Sequence, residues 1–573
     1  MTFPYITLNE IRRDGLSQLD AIIVTGDAYV DHPAFGAAMI ARALQAEGFS
    51  VGVIAQPDWR SPDAFRRLGR PRLFFGVTAG NVDSMLAHYT VARKLRRDDA
   101  CSPGGKAGLR PNRAAIVYAG RIREACPGAF IVLGGIEASL RRLAHYDYWE
   151  NKVRRSVLLD AKADLLVYGM GERQIIEIAR RLDSGQRIND IRDVPGTAYA
   201  RSARGWQPGG NDLTIPSFEQ CAADPQMFAE AFKTIYDEQD AFGGRTIVQP
   251  HGDDPQTARL VVQNPPAPPL ATGELDRLHE LPFQRRWHPM YDDAGGVPAL
   301  ETVRFSIQSH RGCYGDCSFC ALTFHQGRVI QSRSRQSILR EIATLATLPE
   351  WRGVISDIGG PTANMYMTGC KHTGQPRRCK RRCLAEQPCP NLRTDPTPLI
   401  ELLRSARSAP GVRKVFTGSG VRYDLCLADP HDRYLRELCE HHVSGRLRVA
   451  PEHVCKNVLK LMGKPGIEAF EEFRKRFDRI NNELGKRQFI VCYFMSSHPG
   501  CGMAEMRELA DYLARSGLQA EDVQDFYPCP MTWSSCIYHT GIDARTGERI
   551  FVAKTDRDKL AQRHLLNTPA RKK

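Results

Sequence analysis

The chain has 573 residues, 42% hydrophobic and 25% charged, a balance that excludes wholesale disorder and suits about two to four domains. Its 79 Lys+Arg against 65 Asp+Glu leave a formal charge of +14, which would draw in an anionic partner such as nucleic acid but equally describes a solvated basic surface. No apolar run nears the roughly 18 residues that span a bilayer, and Met1-Thr2-Phe3-Pro4 lacks the charged start of an export signal; the expectation is a cytoplasmic protein with no membrane association. In a reducing compartment, 17 clustered cysteines point to metal or redox chemistry rather than a disulfide framework.

Residues 1–190 alternate short β-branched runs with helical patterns. Strands are predicted at Ala21–Thr25, Ser50–Ala55, Leu73–Val77, Phe130–Leu133 and Leu165–Tyr168, and helices at Ala37–Ala46, Arg113–Ala125 and Arg173–Leu182. That alternation predicts an α/β domain with a doubly wound parallel sheet. Residues 191–295 are Pro-rich (Asn264-Pro265-Pro266-Ala267-Pro268-Pro269), with one helix expected at Pro225–Ala241, and read as a connecting region.

From 296 to 548 the alternation resumes. Strands are predicted at Val303–Gln308, Gly353–Ile358, Lys414–Gly418, Arg446–Val449, Gln488–Phe494 and Asp522–Phe526. Helices are predicted at Arg335–Leu345, Thr397–Ser408, Asp432–His442, Ile467–Leu484 and Met503–Ser516. Six βα units in series imply a partial (β/α)6 barrel whose chemistry sits at the C-terminal ends of its strands. Residues 549–573, closing on Arg571-Lys572-Lys573, read as a basic tail.

Just past the first barrel strand, RGCYGDCSFCALTF (311–324) sets Cys313, Cys317 and Cys320 within eight positions. Three thiolates on one loop reach three corners of a cubane [4Fe-4S] cluster and leave the fourth iron open. A structural zinc loop is the competing reading, although zinc takes a fourth protein ligand and favours paired CxxC spacings.

CxxxCxxC with Phe319 before the last cysteine resembles the radical S-adenosylmethionine (SAM) superfamily. The resemblance implies that SAM chelates the open iron through its methionyl amino and carboxylate groups. One electron, from a donor such as a flavodoxin or ferredoxin, would then cleave a sulfonium C–S bond to give a 5'-deoxyadenosyl radical. It further implies that Gly359 and Gly360, where the superfamily has a GGE-type turn and this chain has Pro361 in place of the acid, meet the methionine amine through backbone. Ser419 and Arg422 would lie near ribose or carboxylate, and Phe319 against adenine. Glu452, after strand four, reads as a site residue or a surface salt bridge, and His498, after strand five, as a substrate contact or a turn-stabilising group.

A second group, Cys370, Cys379, Cys383 and Cys389, falls in a Cys-rich insertion at 370–393. Lys371, Arg377, Arg378, Lys380, Arg381, Arg382 and Arg393 stand there against Glu386 alone, a setting that stabilises thiolates. Four such ligands would complete a zinc tetrahedron or an auxiliary iron–sulfur cluster; free thiols in a basic loop are the alternative.

In the amino-terminal domain, Gly134-Gly135-Ile136-Glu137-Ala138-Ser139 and Gly169-Met170-Gly171-Glu172 are similar to turns of cobalamin-binding domains. The base-off signature Asp-x-His-x-x-Gly is not reproduced, since Pro33 stands where the histidine should be, and bound cobalamin is not expected. Together with Tyr29–Pro33, Gly135–Leu140, Gly359–Tyr366 and Phe494–Gly500, these motifs resemble the YgiQ-type radical SAM proteins over residues 1–545. The resemblance implies radical chemistry on an unknown substrate. RNA is a narrower reading, akin to tRNA methylthiolation, and a non-catalytic zinc-bearing nucleic-acid-binding protein is the rival from another class.

Overall fold

The computed structural model describes residues 3–254, 256–374, 379, 382–385, 387–518 and 522–567. It divides into two compact units, Met1–Pro268 with Leu278–Arg304, and Pro269–Arg277 with Phe305–Lys573.

The first unit is built on a nine-stranded sheet. Its strands are β1 (Ala21–Thr25), β2 (Val51–Ala55), β3 (Phe74–Thr78), β4 (Ile131–Leu133), β5 (Leu165–Val167), β6 (Thr197–Ser202), β7 (Asp212–Thr214), β8 (Thr246–His251) and β9 (Arg259–Gln263). The first five are parallel in the order β2-β1-β3-β4-β5, a doubly wound arrangement whose switch point lies between β1 and β3. Ile22, Ile23 and Val24 are almost fully buried, because helices cover both faces of a parallel sheet, and each such side chain contributes roughly 1.5–3 kcal/mol. Helices α1 (Gly36–Ala46), α2 (Ala114–Ala125) and α4 (Glu172–Asp183) start and stop within a residue or two of their expected limits, while the short α3 (Gly135–Leu140) was not expected.

The expected connecting region is instead part of this sheet. Antiparallel β6 pairs with β5 and with β9, β9 pairs with β8, and β7 closes the edge, while α5 (Phe218–Ala223) and α6 (Pro225–Asp237) pack with them. The extension buries Val248, Val261 and Val262, so the boundary placed at 190 moves to about 304.

The second unit carries six strand positions in series. They are β10 (Ser306–Gln308), a split second strand β11 (Val354–Ile355) and β12 (Asp357–Gly359), then β15 (Lys414–Val415), β16 (Arg446–Glu452), β17 (Phe489–Ser496) and β18 (Asp522–Asp525). The two-residue strands β13 (Gly369–Cys370) and β14 (Leu392–Arg393) pair antiparallel at the base of the Cys-rich insertion. Parallel pairing joins β10 to β12, β11 to β15, β16 to β17 and β17 to β18. Strands three and four meet through Val421 N donating to Arg448 O at 3.3 Å rather than through a ladder. Helices α7 (Arg335–Leu345), α8 (Thr397–Arg407), α9 (Tyr423–Leu427), α10 (Lys456–Met462), α11 (Ile467–Glu483), α12 (Met503–Ser516), α13 (Trp533–Thr540) and α14 (Asp556–Asn567) complete the unit.

Three expectations change here. The residues before β10 are helical at Ala299–Val303, so the strand predicted from Val303 begins at Ser306. The helix predicted at Asp432–His442 is α-helical over Arg433–Glu437 and then widens to a π-helical turn at Leu438–His442. The basic tail contains α14, whose Gln562 is buried; it accepts from Ser497 N at 2.8 Å and donates to Cys501 O at 2.7 Å. Arg571, Lys572 and Lys573 lie outside the described residues.

Candidate active site at the strand ends of the second unit

The cysteine loop leaves strand one at Gly312, whose φ of +85° is open to glycine and where a Cβ would stand 2.2 Å from Val329 O. Cys313 N donates to Gly327 O at 3.1 Å and Cys320 N to Cys317 O at 3.0 Å, which folds the loop back on itself. Ser318 pins its middle: its amide donates to Met462 O at 2.8 Å, its hydroxyl to Leu461 O at 2.5 Å, and its carbonyl accepts from Ser534 N at 2.9 Å at the start of α13.

The three thiols share one patch of space. Burial pushes the Cys313 and Cys320 thiols up, and each would be raised further by a charge on Cys317, so a thiolate on one costs the next. Donors oppose that cost. Gly315 N lies 3.4 Å from Cys313 Sγ, the Leu322 amide donates to Cys320, and Arg422 Nη1 lies 3.5 Å from Cys317 Sγ. Three soft ligands with N–H and guanidinium donors fit a site that holds thiolates on a metal cluster.

Arg422, expected beside ribose or carboxylate, lies against the sulfurs. It is 8% exposed, pairs with Asp424 through Nε at 2.9 Å and through Nη2, and approaches so closely that a Cβ on Gly315 would meet Nη1 at 2.9 Å and Cys313 Sγ at 3.2 Å. The pair keeps Asp424 ionised against the pull of burial, and a Lys464 charge acts in the same direction. Lys464 also stands 4.0 Å from Glu452, whose carboxyl burial pushes up, so Glu452 belongs to a buried charge network near the cysteine loop rather than to a surface salt bridge.

Ser419 and the two glycines are held by the protein itself. The Asp357 carboxylate at the start of β12 accepts from Gly418 N at 2.8 Å, Ser419 N at 3.1 Å and the Ser419 hydroxyl. A Cβ on Gly359 would stand 2.5 Å from Ser419 Oγ, and one on Gly360 2.8 Å from the His310 ring. His310 bridges the same region, with Nδ1 at 2.9 Å from Ser309 Oγ and Nε2 at 3.0 Å from Thr362 O; Thr362 Oγ1 in turn lies 3.8 Å from Cys313 Sγ.

Phe319 meets His498 edge-on at 6.1 Å. His498 is buried with Nδ1 on Pro499 O at 2.8 Å and Nε2 on Ser534 Oγ at 2.7 Å, and burial drops its pKa to about 3. Both nitrogens are therefore used in holding the turn. Glu452 and Ser497, at the ends of β16 and β17, have φ of +69° and +62°, a backbone strain that concentrates at functional sites.

The insertion docks onto this loop. Arg382 Nη2 donates to Asp316 O at 2.5 Å and to Ser318 Oγ at 3.1 Å, while Cys383 and Cys389 pack in one apolar cluster with Tyr314, Leu384 and Cys313. Cys383 has Cys389, Cys379 and Cys370 near enough that a charge on any of them would raise its pKa, and burial pushes it to about 12. Arg377, Arg378, Lys380, Arg381 and Glu386 lie outside the described residues. Among the described residues no three His, Cys, Asp or Glu side chains already stand as a ready site for a single ion.

Gln562 and Lys464 were not singled out in the sequence, where each is an isolated polar residue without a motif, and Arg382 was read there only as part of the basic charge of the insertion. In the first unit, His32 is buried, with Nδ1 accepting from Ala34 N at 3.1 Å and Nε2 3.2 Å from Arg285; it does not fit the part of an axial cobalamin ligand.

Residues 3–306 match the family described as Radical SAM N-terminal. A UPF0313 protein of Methanocella arvoryzae is 51% identical over 98% of this chain and 92% of its own length, and one from Clostridium botulinum is 49% identical over 99% and 88%. Among solved structures, the radical SAM methyltransferase TsrM of Kitasatospora setae, with cobalamin and a [4Fe-4S] cluster bound, aligns with TM-score 0.49 at 15% identity over 90% of this chain and 75% of that one. The cobalamin-dependent SAM radical enzyme OxsB aligns with TM-score 0.49 at 12% identity over 94% and 58%. Both of these structures were solved with cobalamin bound. With half-identical relatives along nearly its whole length and the family match over its first 306 residues, the chain belongs to the UPF0313 group of radical SAM proteins.

Proposed function

We propose that the chain is a cytoplasmic radical SAM enzyme in which Cys313, Cys317 and Cys320 hold a [4Fe-4S] cluster and leave one iron to SAM. The observation that carries this reading is the convergence of three thiols from one loop, each met by a hydrogen-bond donor. When bound, the cluster supplies the electron, received from a small donor such as a flavodoxin or ferredoxin, that splits a sulfonium C–S bond into methionine and a 5'-deoxyadenosyl radical.

The chain's own residues do the holding. Arg422 offsets the negative charge of the thiolates, and Asp424 fixes its guanidinium. Phe319 offers its ring to adenine, with His498 at its edge. Backbone at Gly359 and Gly360 meets the methionine amine. Ser419 is spent on Asp357, so ribose or carboxylate contacts from this turn fall to the backbone around Gly420.

Anaerobic reconstitution with iron and sulfide, reduction with dithionite and addition of SAM are expected to yield 5'-deoxyadenosine. Reconstituted protein with an intact cluster and no such product sinks the reading. Iron rather than zinc in anaerobically purified protein separates it from a non-catalytic zinc-bearing binding protein.

Within the same proposal RNA is the narrower substrate class, motivated by the formal charge of +14 together with the basic Cys370–Arg393 segment. Binding to RNA is then expected to weaken steeply from low to physiological salt as phosphate contacts release counterions. Cys370, Cys379, Cys383 and Cys389 form, in the same proposal, a second thiolate centre for zinc or an auxiliary iron–sulfur cluster, supported by Cys370, Cys379 and Cys389 each lying near enough to Cys383 to raise its pKa. Protein with Cys313, Cys317 and Cys320 all replaced by Ala is expected to retain zinc or iron; metal-free protein would remove the second centre.

A further inference from the structure

We propose a nucleoside phosphate site in the first unit, at the open end of β8 and β9 and independent of the cluster chemistry. A cavity of about 630 Å³ opens there, within the range of small-molecule sites. Arg155, Lys162, Phe218, Glu219, His251 and Arg259 are the lining residues that matter.

His251 is the reason to read a ligand into it. The side chain is 7% exposed, yet among the described residues neither ring nitrogen has a hydrogen-bond partner. An imidazole buried without partners costs roughly 1–3 kcal/mol, a loss that a bound polar group would recover. Burial, with the Arg155 charge adding to it, pulls its pKa to about 4, so at neutral pH the ring offers one N–H donor and one acceptor. It stacks on Phe218 with centroids 5.7 Å apart and planes 14° from parallel. Beside it, Glu219 spends one carboxylate oxygen on Gly252 N at 2.9 Å and leaves the other buried without a partner.

The rim has the opposite character. Among the described residues, Lys162 and Arg259 are exposed and form no ion pair, Arg155 is held by Asp160, and Asp164 is already paired with Arg123. An aromatic wall, a neutral imidazole and a free carboxylate oxygen suit a base that presents N–H donors, as guanine does. The free cations suit its phosphate.

The test uses the full-length protein, titrated with the four nucleoside monophosphates and with inorganic phosphate by calorimetry. Expected is saturable binding of at least one nucleotide, guanosine monophosphate foremost, tighter than phosphate and weakened about tenfold or more by His251→Phe and by Arg259→Glu; tenfold is about 1.4 kcal/mol. Arg259 is exposed, so its substitution reads the site without risking the fold. Absence of saturable binding below about 1 mM, a phosphate affinity equal to the nucleotide's, or indifference to both substitutions overturns the proposal. Competition by a short 5'-phosphorylated oligoribonucleotide names RNA as the source of the nucleotide; its failure to compete names a free one. Iron content does not enter the measurement, so failure here leaves the radical chemistry standing, and the reverse.

Discussion

Arg422 carries more of the site than its place in the chain suggests. It stands 105 positions from Cys317 in sequence, yet its guanidinium touches that sulfur while gripping Asp424. Truncating it leaves a carboxylate buried and unpaired, a loss of roughly 3–5 kcal/mol. Arg422→Ala is therefore expected to lower the urea midpoint and reduce iron per chain after reconstitution, and Arg422→Ala with Asp424→Ala to recover part of the stability but not the iron. A double mutant no more stable than the single one would show that Asp424 is not the group left stranded. Gly315→Ala is expected to impair iron uptake with a smaller effect on folding, because its Cβ would push into both Arg422 and Cys313. The stability curve and the iron assay together check that split.

At the scale of elements, the loops at the strand ends are held by pieces of the chain remote in sequence. The turn after β17 is tied down by Gln562 of α14, and the cysteine loop by Arg382 of the insertion and by Ser534 of α13. Gln562→Ala leaves the buried Ser497 amide without its acceptor, so a loss of about 1–3 kcal/mol is expected in chemical denaturation. Gln562→Glu keeps an acceptor for that amide but loses the donor to Cys501 O, and should fall between the two. Histidines repeat the pattern: His310 follows β10, His453 follows β16 and His498 follows β17, all buried and all pulled down, to about 4, 4 and 3. Each is neutral in the folded protein at pH values where an unfolded chain, with a pKa near 6.5, has taken up a proton. Stability is therefore expected to be complete above about pH 6.5 and to fall as pH drops toward 4 and then 3, by up to about 1.4 kcal/mol per pH unit for each histidine. His498→Gln should flatten that acid limb, and unfolding midpoints at pH 7 and pH 5 measure it.

Across the whole molecule, acids that burial pushes up, such as Glu137, Glu452 and above all Asp27, run against that trend. Asp27, beside Arg110 past the end of β1, is pushed up to about 6 by burial, so the folded chain keeps a proton that the unfolded chain has lost between about pH 4 and 6. Its contribution falls as pH rises through that window, and Asp27→Asn is expected to steepen the net acid sensitivity set by the histidines. The helices and parallel strands of both units were legible because a half-buried helix and a fully buried strand each impose a short-range apolar pattern, as in Ile467–Glu483 and Ala21–Thr25. The strands β6 to β9 were not, since they are interrupted by proline and polar residues and become strands only when they find each other across up to about 60 intervening residues. The cysteine triplet could be read directly, because its spacing is a local property of eight residues. What surrounds it could not: Arg422 on the sulfur, Asp357 on Ser419 and Gln562 on the Ser497 turn join residues 62 to 105 positions apart. The sequence by itself determined the three-cysteine loop and the βα order, both written in neighbouring residues. Tertiary structure alone decided which charges and hydrogen-bond donors meet that loop, because burial, not spacing, makes a distant partner obligatory.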